Sequence, residues 1–327
     1  NEAGLDDQDK GFVTELVYGI IEKKRYLDYM INKVSKIKVR KMQHPVKLVL
    51  RMGVYQLVYM DGVADYAAIN ESVNIMKKLD KRSASFVNAV LRNISRNLDE
   101  VKDISLNTVD KLAIYYSYEN WIVENLVKEY GFERTEAILR ALSQKPNIYL
   151  RVNRTKLRPG QSMDYLVGQI IGRLIDQGLE ASRVEGLEEA IKVKGLKSID
   201  KHPLFREGYV SVQDISSILV AKVMDPKRES RVLDLCAAPG GKSTHIGELT
   251  DNSGHLISKD IFDPKIKLMN TYARRLGLNN MEARLGDALV LNDDYIGKFD
   301  YVLCDVPCSG MGIVRRKPEI KYKKEEE

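Results

Sequence analysis

The chain has 327 residues, of which 44% are apolar, 30% charged and 7% aromatic, with a formal net charge of +6. That is enough apolar material to bury a core without disulfides or a structural metal, which excludes the disordered, collagenous and mini-protein classes. An excess of 52 basic over 46 acidic residues is too mild to imply a nucleic-acid partner by its sum alone.

Three cysteines occur, Cys236, Cys304 and Cys308. An odd count without a secretory leader fits a reducing compartment, so a cytoplasmic protein is expected. The longest apolar stretch, Val46 to Met60, is broken by Lys47 and Arg51 and is shorter than the ~20 residues a bilayer span requires, so no membrane partner is expected. The first residue is Asn1 rather than Met and the last ten run out without a closing structural pattern, so both ends are expected to be cut.

From Asp9 to about Gly131 apolar residues recur at helical spacing, as in Phe12, Leu16, Ile20 and Leu27, Ile31, Val34. The pattern predicts helices over 9–34, 45–59, 66–79, 83–97, 108–116 and 119–130. His44-Pro45 reads as a start signal, Asp61-Gly62 as a break and Gly131 as the stop of the last helix. Residues 1–143 are therefore expected to form an all-α domain.

The pattern changes at Lys145-Pro146. Ile148 to Val152 is a β-type run, 161–176 a helix with Tyr165, Ile170 and Leu174 on one face, and Ala190 to Val193 a second apolar run before a loop at His202-Pro203. Residues 144–205 read as a small α+β module. Val212 to Met224 reads as a helix ending at Asp225-Pro226.

The strongest signal follows: a strand from Arg231 to Cys236, a loop from Ala237 to Gly241, and a helix from Lys242 to Leu249. Strands are predicted at His255–Ser258, Glu282–Leu285 and Phe299–Cys304, with a helix at Pro264–Leu276. Such alternation implies a parallel, doubly wound α/β domain over 206–327, whose ligand sits beyond the carboxyl ends of the strands.

The loop spacing narrows the ligand. A P-loop would need Gly at Cys236, and Pro239 removes an N–H that a phosphate nest would use. The G-x-G-x-x-G dinucleotide pattern is absent as well. A run of small residues, Cys236, Ala237, Ala238, Pro239, Gly240, Gly241, remains ahead of Lys242, and it lets a ligand lie against the backbone. Asp260, at the end of the second strand, is placed to accept from a ribose diol, and Asp287, after the third, to meet an adenine. Either acid alone is as well explained by capping a helix or turn; both together beside this loop favour an adenosine ligand without phosphate, with S-adenosylmethionine the obvious candidate.

The fourth strand ends in Asp305-Val-Pro-Cys308-Ser-Gly310. A carboxylate and a thiol at the mouth of one crevice suit methylation of a cytosine at C5, in which a thiolate adds to C6, C5 takes the methyl group, and the C5 proton and thiol then leave. Cys236 and Cys304 read instead as small buried fillers, which Cys308, in a Pro/Gly loop, does not.

Val232-Leu-Asp-Leu-Cys-Ala-Ala-Pro-Gly-Gly-Lys242, Asp305-Val-Pro-Cys-Ser-Gly310 and Arg315-Arg-Lys-Pro-Glu319 together resemble the RNA cytosine-C5 methyltransferases. Thr14-Glu-Leu-Val-Tyr-Gly19 and Phe86-Val-Asn-Ala-Val-Leu-Arg92 are similar to the NusB-like domain of the bacterial small-subunit ribosomal RNA subgroup. The resemblance implies a NusB-like helical domain, the α+β module and a Rossmann-like methyltransferase domain. It implies that Cys236 to Lys242, Asp260, Asp287 and Asp305 contact S-adenosylmethionine, with Asp305 also near the target base, and that 16S ribosomal RNA is the partner. It further implies that Cys308 assists product release, while the nucleophile belongs to a Thr-Cys motif on the following strand. Residues 1–327 contain no Thr-Cys. The nucleophile is therefore expected beyond Glu327, the methyltransferase domain is expected to be incomplete, and the chain as it stands is expected to be inactive.

RNA should leave an electrostatic footprint. Seven basic residues fall between Lys33 and Arg51 with no acid among them. Arg140, Lys145, Arg151, Arg154, Lys156 and Arg158 form a second acid-free run, and Arg315, Arg316, Lys317, Lys321, Lys323 and Lys324 flank the Pro-Cys loop. Arg151, Arg154, Lys156, Arg315, Arg316 and Lys317 are the expected RNA contacts. Trp121 reads as core rather than as a base-stacking platform. A monomer without metal is expected. The alternative reading is a NusB-like RNA-binding protein that binds S-adenosylmethionine without turnover.

Overall fold

The computed structural model describes residues 4–196 and 199–324. The chain divides into two compact units, one of residues 1–145 and 309–327 and one of residues 146–308.

The first unit opens with α1 (Asp7–Val34), α2 (His44–Tyr59), α3 (Asp65–Leu79), α4 (Ala84–Arg96) and the short α5 (Leu98–Lys102). Local chemistry sets these limits: Asp6 accepts from the Asp9 N–H at 2.8 Å to cap α1, and Pro45 lies in the first turn of α2, where a missing N–H costs nothing. Leu27, Met30, Ile31, Leu50, Val54, Leu91 and Ile94, at the three- and four-residue spacings of helix faces, are fully buried together. Gly19 explains part of the Thr14–Gly19 motif, because a β-carbon at that position would overlap the Tyr55 ring of α2.

Then come α6 (Val109–Tyr116), α7 (Asn120–Tyr130) and α8 (Phe132–Leu142). Helix α8 is absent from the sequence expectation. Gly131, at φ 77°, ends α7 and at once precedes α8, so reading it as a final stop hid a helix that buries only Thr135 and Leu139.

Residues 309–324, read by sequence with the 206–327 segment, pack on this helical unit. Turns of 3-10 helix at Met311–Ile313 and Pro318–Tyr322 bury Val314 and Ile320 against Leu112, Tyr118, Ile122 and Leu139. The expected lack of structure near the carboxyl end therefore does not hold for 318–322; Glu325 to Glu327 lie outside the described residues.

The second unit begins with β1 (Ile148–Val152), α9 (Met163–Asp176), β2 (Glu180–Val184), β3 (Leu187–Lys194), the single-turn α10 (Pro203–Arg206) and β4 (Val210–Val212). These strands form an antiparallel sheet in the order β2-β3-β1-β4. Leu150, Val152, Ile191 and Val193 pack under Leu166, Val167, Ile170 and Leu174 of α9. Strand β2 was invisible to periodicity because it is an edge whose residues are exposed or half-buried. Val212 belongs to β4 rather than to a helix; α11 (Ile215–Met224) starts where Asp214 accepts from the Ser216 N–H at 3.2 Å.

The remainder is β5 (Arg231–Asp234), α12 (Gly241–Leu249), β6 (His255–Asp260), α13 (Asp263–Leu276), β7 (Met281–Leu285) and β8 (Tyr301–Leu303). The sheet is parallel throughout, ordered β7-β6-β5-β8. The chain lays β6 and β7 outward from β5 and then returns to its other side with β8. The order thus reverses between β5 and β8, where doubly wound sheets open a crevice.

Candidate functional site

The loop leaving β5 is held by backbone bonds to its neighbours. Leu235 N–H donates to Leu303 O at 3.0 Å on the β8 side, and Ala237 N–H to Lys259 O at 2.8 Å on the β6 side. Gly240, at φ +101°, occupies backbone space that favours glycine, and a β-carbon there would stand 3.2 Å from Met269 Cγ. Helix α12 starts directly after it, so the first-turn N–H groups of Gly241, Lys242 and Ser243 face the crevice end of the helix without intrahelical acceptors. Asp234 closes the base of the loop, accepting from Ser243 Oγ at 2.6 Å. Burial pushes its carboxyl up to about 6, against the pull of that hydrogen bond.

Asp260 lies at the end of β6, only 8% exposed. Its Oδ2 accepts from the Ala238 N–H at 3.3 Å and its Oδ1 from the Phe262 N–H at 3.2 Å, with Lys265 Nζ 3.6 Å from Oδ1. The carboxylate thus ties the loop to β6, and each oxygen keeps a lone pair beyond its single N–H. Asp287 accepts from the Leu289 N–H at 2.9 Å and borders a cavity of about 540 Å³ lined by Lys259, Gly286, Asn292, Asp294 and Tyr295. Both acids therefore also do the capping work that either alone would suggest.

Asp305 follows β8, 51% exposed at its side chain, and forms an ion pair with Lys242 of α12. That pair joins the two strand ends on either side of the order reversal. Cys308 is exposed in the loop beyond. Two cysteine expectations fail: Cys304 is exposed and Cys236 half-buried, so neither is a buried filler. Cys304 emerges from β8, the sheet edge among the described residues, and Cys236 lies in the open loop after β5. Burial nonetheless pushes the Cys236 thiol up, which leaves it protonated at neutral pH.

The expected RNA contacts divide. Arg151 is fully buried and paired with Glu248 at 2.7 Å, so it is no surface contact; its place in β1 turns it inward onto α12. Arg154 is half-buried and 3.3 Å from Asp251, while Lys156 lies 5.4 Å from the Tyr209 ring centroid. In the other unit Arg315 donates to Gln144 O at 3.1 Å and Lys145 O at 2.9 Å, and Arg316 and Lys317 are exposed. Lys321 drops out of the basic run, for it is buried. Trp121 packs against the helical core as expected, its indole N–H donating to Lys323 O at 3.0 Å. Among the described residues no helix is long and apolar enough to cross a membrane, and no cluster of three or more His, Cys, Asp or Glu side chains could hold a metal ion.

Three family profiles match successive stretches of the chain. The NusB family profile matches residues 1–96, a profile for the ferredoxin-like domain of RsmF/B-like methyltransferases matches 118–200, and one for 16S rRNA methyltransferase RsmB/F matches 221–327. The chain is 41% identical over 327 residues to a probable ribosomal RNA small subunit methyltransferase B of Bacillus subtilis, covering 98% of this chain and 70% of that one. It is 30% identical over 321 residues to ribosomal RNA small subunit methyltransferase B of Shigella sonnei, covering 97% and 71%. Among solved structures, that of PH0851 superposes with a TM-score of 0.73 at 25% identity, over 99% of this chain and 72% of the other.

Proposed function

This chain belongs to the ribosomal RNA small subunit methyltransferase B family, and from that premise we propose that it serves methyl transfer from S-adenosylmethionine to C5 of a cytosine in 16S ribosomal RNA. The observation that carries the reading is the meeting of the β5 loop and the β8 end, bridged by Lys242 and Asp305, where the strand order reverses.

The donor set fits the cofactor. Three first-turn N–H groups of α12 suit a carboxylate, and the spare lone pairs of Asp260 suit a ribose diol. Asp287 beside its cavity suits the adenine end, and the small residues from Cys236 to Gly241 let the ligand lie against the chain. When bound, S-adenosylmethionine supplies an electrophilic methyl group. Asp305 lies near the target base, and Lys242 holds its carboxylate in place. A thiolate adds to C6, the electron pair that develops at C5 takes the methyl group as its bond to sulfur breaks and S-adenosylhomocysteine is released, and a base then takes the C5 proton as the C6–S bond breaks and the thiolate leaves. That thiolate comes from a Thr-Cys motif, which residues 1–327 lack, while Cys308 assists the release step. Arg154, Lys156, Arg315, Arg316 and Lys317 contact RNA phosphates. Residues 1–327 alone bind without turning over.

The test is methylation of unmodified 16S ribosomal RNA with labelled S-adenosylmethionine, using the 327-residue chain and the same chain with a Thr-Cys-bearing segment appended. The expected result is 5-methylcytosine from the second protein only. 5-Methylcytosine from the first would make Cys308 the nucleophile, and a methyl group on another atom would overturn the reaction.

A further inference from the structure

We propose that Arg151, a residue of the antiparallel sheet far in sequence from the β5 loop, is a positioning residue for the cofactor site, setting the place of α12 and so of the loop before it. The inference rests on the cofactor reading above and deepens it.

A guanidinium has five N–H donors, and here each has an acceptor. Nε donates to Glu248 Oε2 at 3.2 Å, and Nη2 to Glu248 Oε1 at 2.7 Å and to Thr244 Oγ1 at 3.2 Å. Nη1 donates to Gly241 O at 2.8 Å and to Gln213 Oε1. All but the last of these acceptors belong to α12, and they run from its first residue to its next-to-last. One rigid fork therefore fixes the helix along its axis and in rotation, at the end where Gly240 and Gly241 leave the loop. Asn153, two residues on, is the second bolt: its Nδ2 donates to Gly208 O at 2.8 Å and to Leu276 O, the end of α13, at 2.9 Å. Arg151 in β1 and Asn153, the first residue after that strand, thus grip the helices that follow β5 and β6.

A buried ion pair can usually be exchanged for apolar residues without losing the fold, so stability does not by itself require this arginine. Placement does. Where a ligand lies against the backbone, a small displacement of the amides that receive it weakens binding steeply. Lysine, a point charge on a flexible stem, can pair with Glu248 but cannot also span to Gly241.

The test compares the wild-type chain with R151K, R151M and the double variant R151M/E248L, which removes both charges. The measurements are thermal unfolding, calorimetric titration with S-adenosylhomocysteine, and hydrogen exchange at the amides of Gly240 and Thr244, which donate to Ala237 O and Gly240 O, each at 2.8 Å. R151M alone, with Glu248 left unpaired, is expected to unfold early. The double variant is expected to unfold within a few degrees of wild type, yet to bind S-adenosylhomocysteine at least tenfold more weakly and to exchange those amides at least tenfold faster. R151K should recover stability over R151M without recovering affinity. Wild-type affinity and exchange in the folded double variant would overturn the proposal and leave Arg151 a strut. If wild type itself does not bind S-adenosylhomocysteine, the cofactor reading fails, and the exchange comparison still decides whether Arg151 holds the loop.

Discussion

At the scale of single residues, the proposed ribose contact asks one carboxylate, that of Asp260, to serve structure and ligand together. Its oxygens hold the N–H groups of Ala238 and Phe262, and their remaining lone pairs are the ones assigned to the ribose. Hydrogen bonds to a charged group contribute about 1.5–3 kcal/mol each, so Asp260→Ala is expected to weaken S-adenosylhomocysteine binding at least tenfold in a calorimetric titration. Unchanged affinity would sink the ribose assignment. The acids, the small-residue loop and the Pro-Cys motif were legible in the sequence because each follows a strand, and strand ends in a doubly wound sheet converge. Arg151 was misread for the complementary reason. A basic residue in an acid-free run looks solvated, and its partner Glu248 stands 97 residues away, where no local pattern connects them.

At the scale of elements, the segment after the Pro-Cys loop is anchored to the helical unit by an unusual group. Lys321 is 1% exposed, with its ammonium donating to Tyr116 O at 3.2 Å and Glu22 O at 3.4 Å and lying 4.7 Å from the Tyr118 ring centroid. Burial pulls its pKa down to about 8 from 10.5. The folded state thus holds fewer protons than the unfolded state between those values, so this group's contribution to stability rises with pH across that window. Its burial cost stands in full below pH 8 and is relieved by up to about 3 kcal/mol by pH 10.5. Trp121 is the chain's only tryptophan and contacts Lys323, so its fluorescence reports on this segment. The denaturation midpoint followed at Trp121 is expected to rise between pH 8 and 10.5 in wild type relative to Lys321→Met. Parallel pH profiles for the two would contradict the assignment. The sequence did not reveal this anchor, since a stretch of lysines gives no sign that one of them is buried. The long helices were legible from their apolar stripes, whereas α8, with two buried residues, and the exposed edge strand β2 were not.

At the scale of the whole molecule, family and layout agree: a helical NusB-like part, a ferredoxin-like module and a methyltransferase sheet follow one another along the chain. The compact units divide differently, because residues 309–324 return to the helices while the two sheets share the unit of residues 146–308. Chain order is visible in a sequence; the return of a short, mostly polar segment to an earlier domain is not. The central claim is that the crevice between the ends of β5 and β8 holds S-adenosylmethionine. The most direct measurement is ultraviolet photolabelling of the 327-residue chain with methyl-tritiated S-adenosylmethionine, followed by peptide mapping. The account predicts label in peptides carrying residues 236–242, Asp260 or residues 305–308, competed away by unlabelled S-adenosylhomocysteine; label confined to residues 4–145, or none that competes, would contradict it.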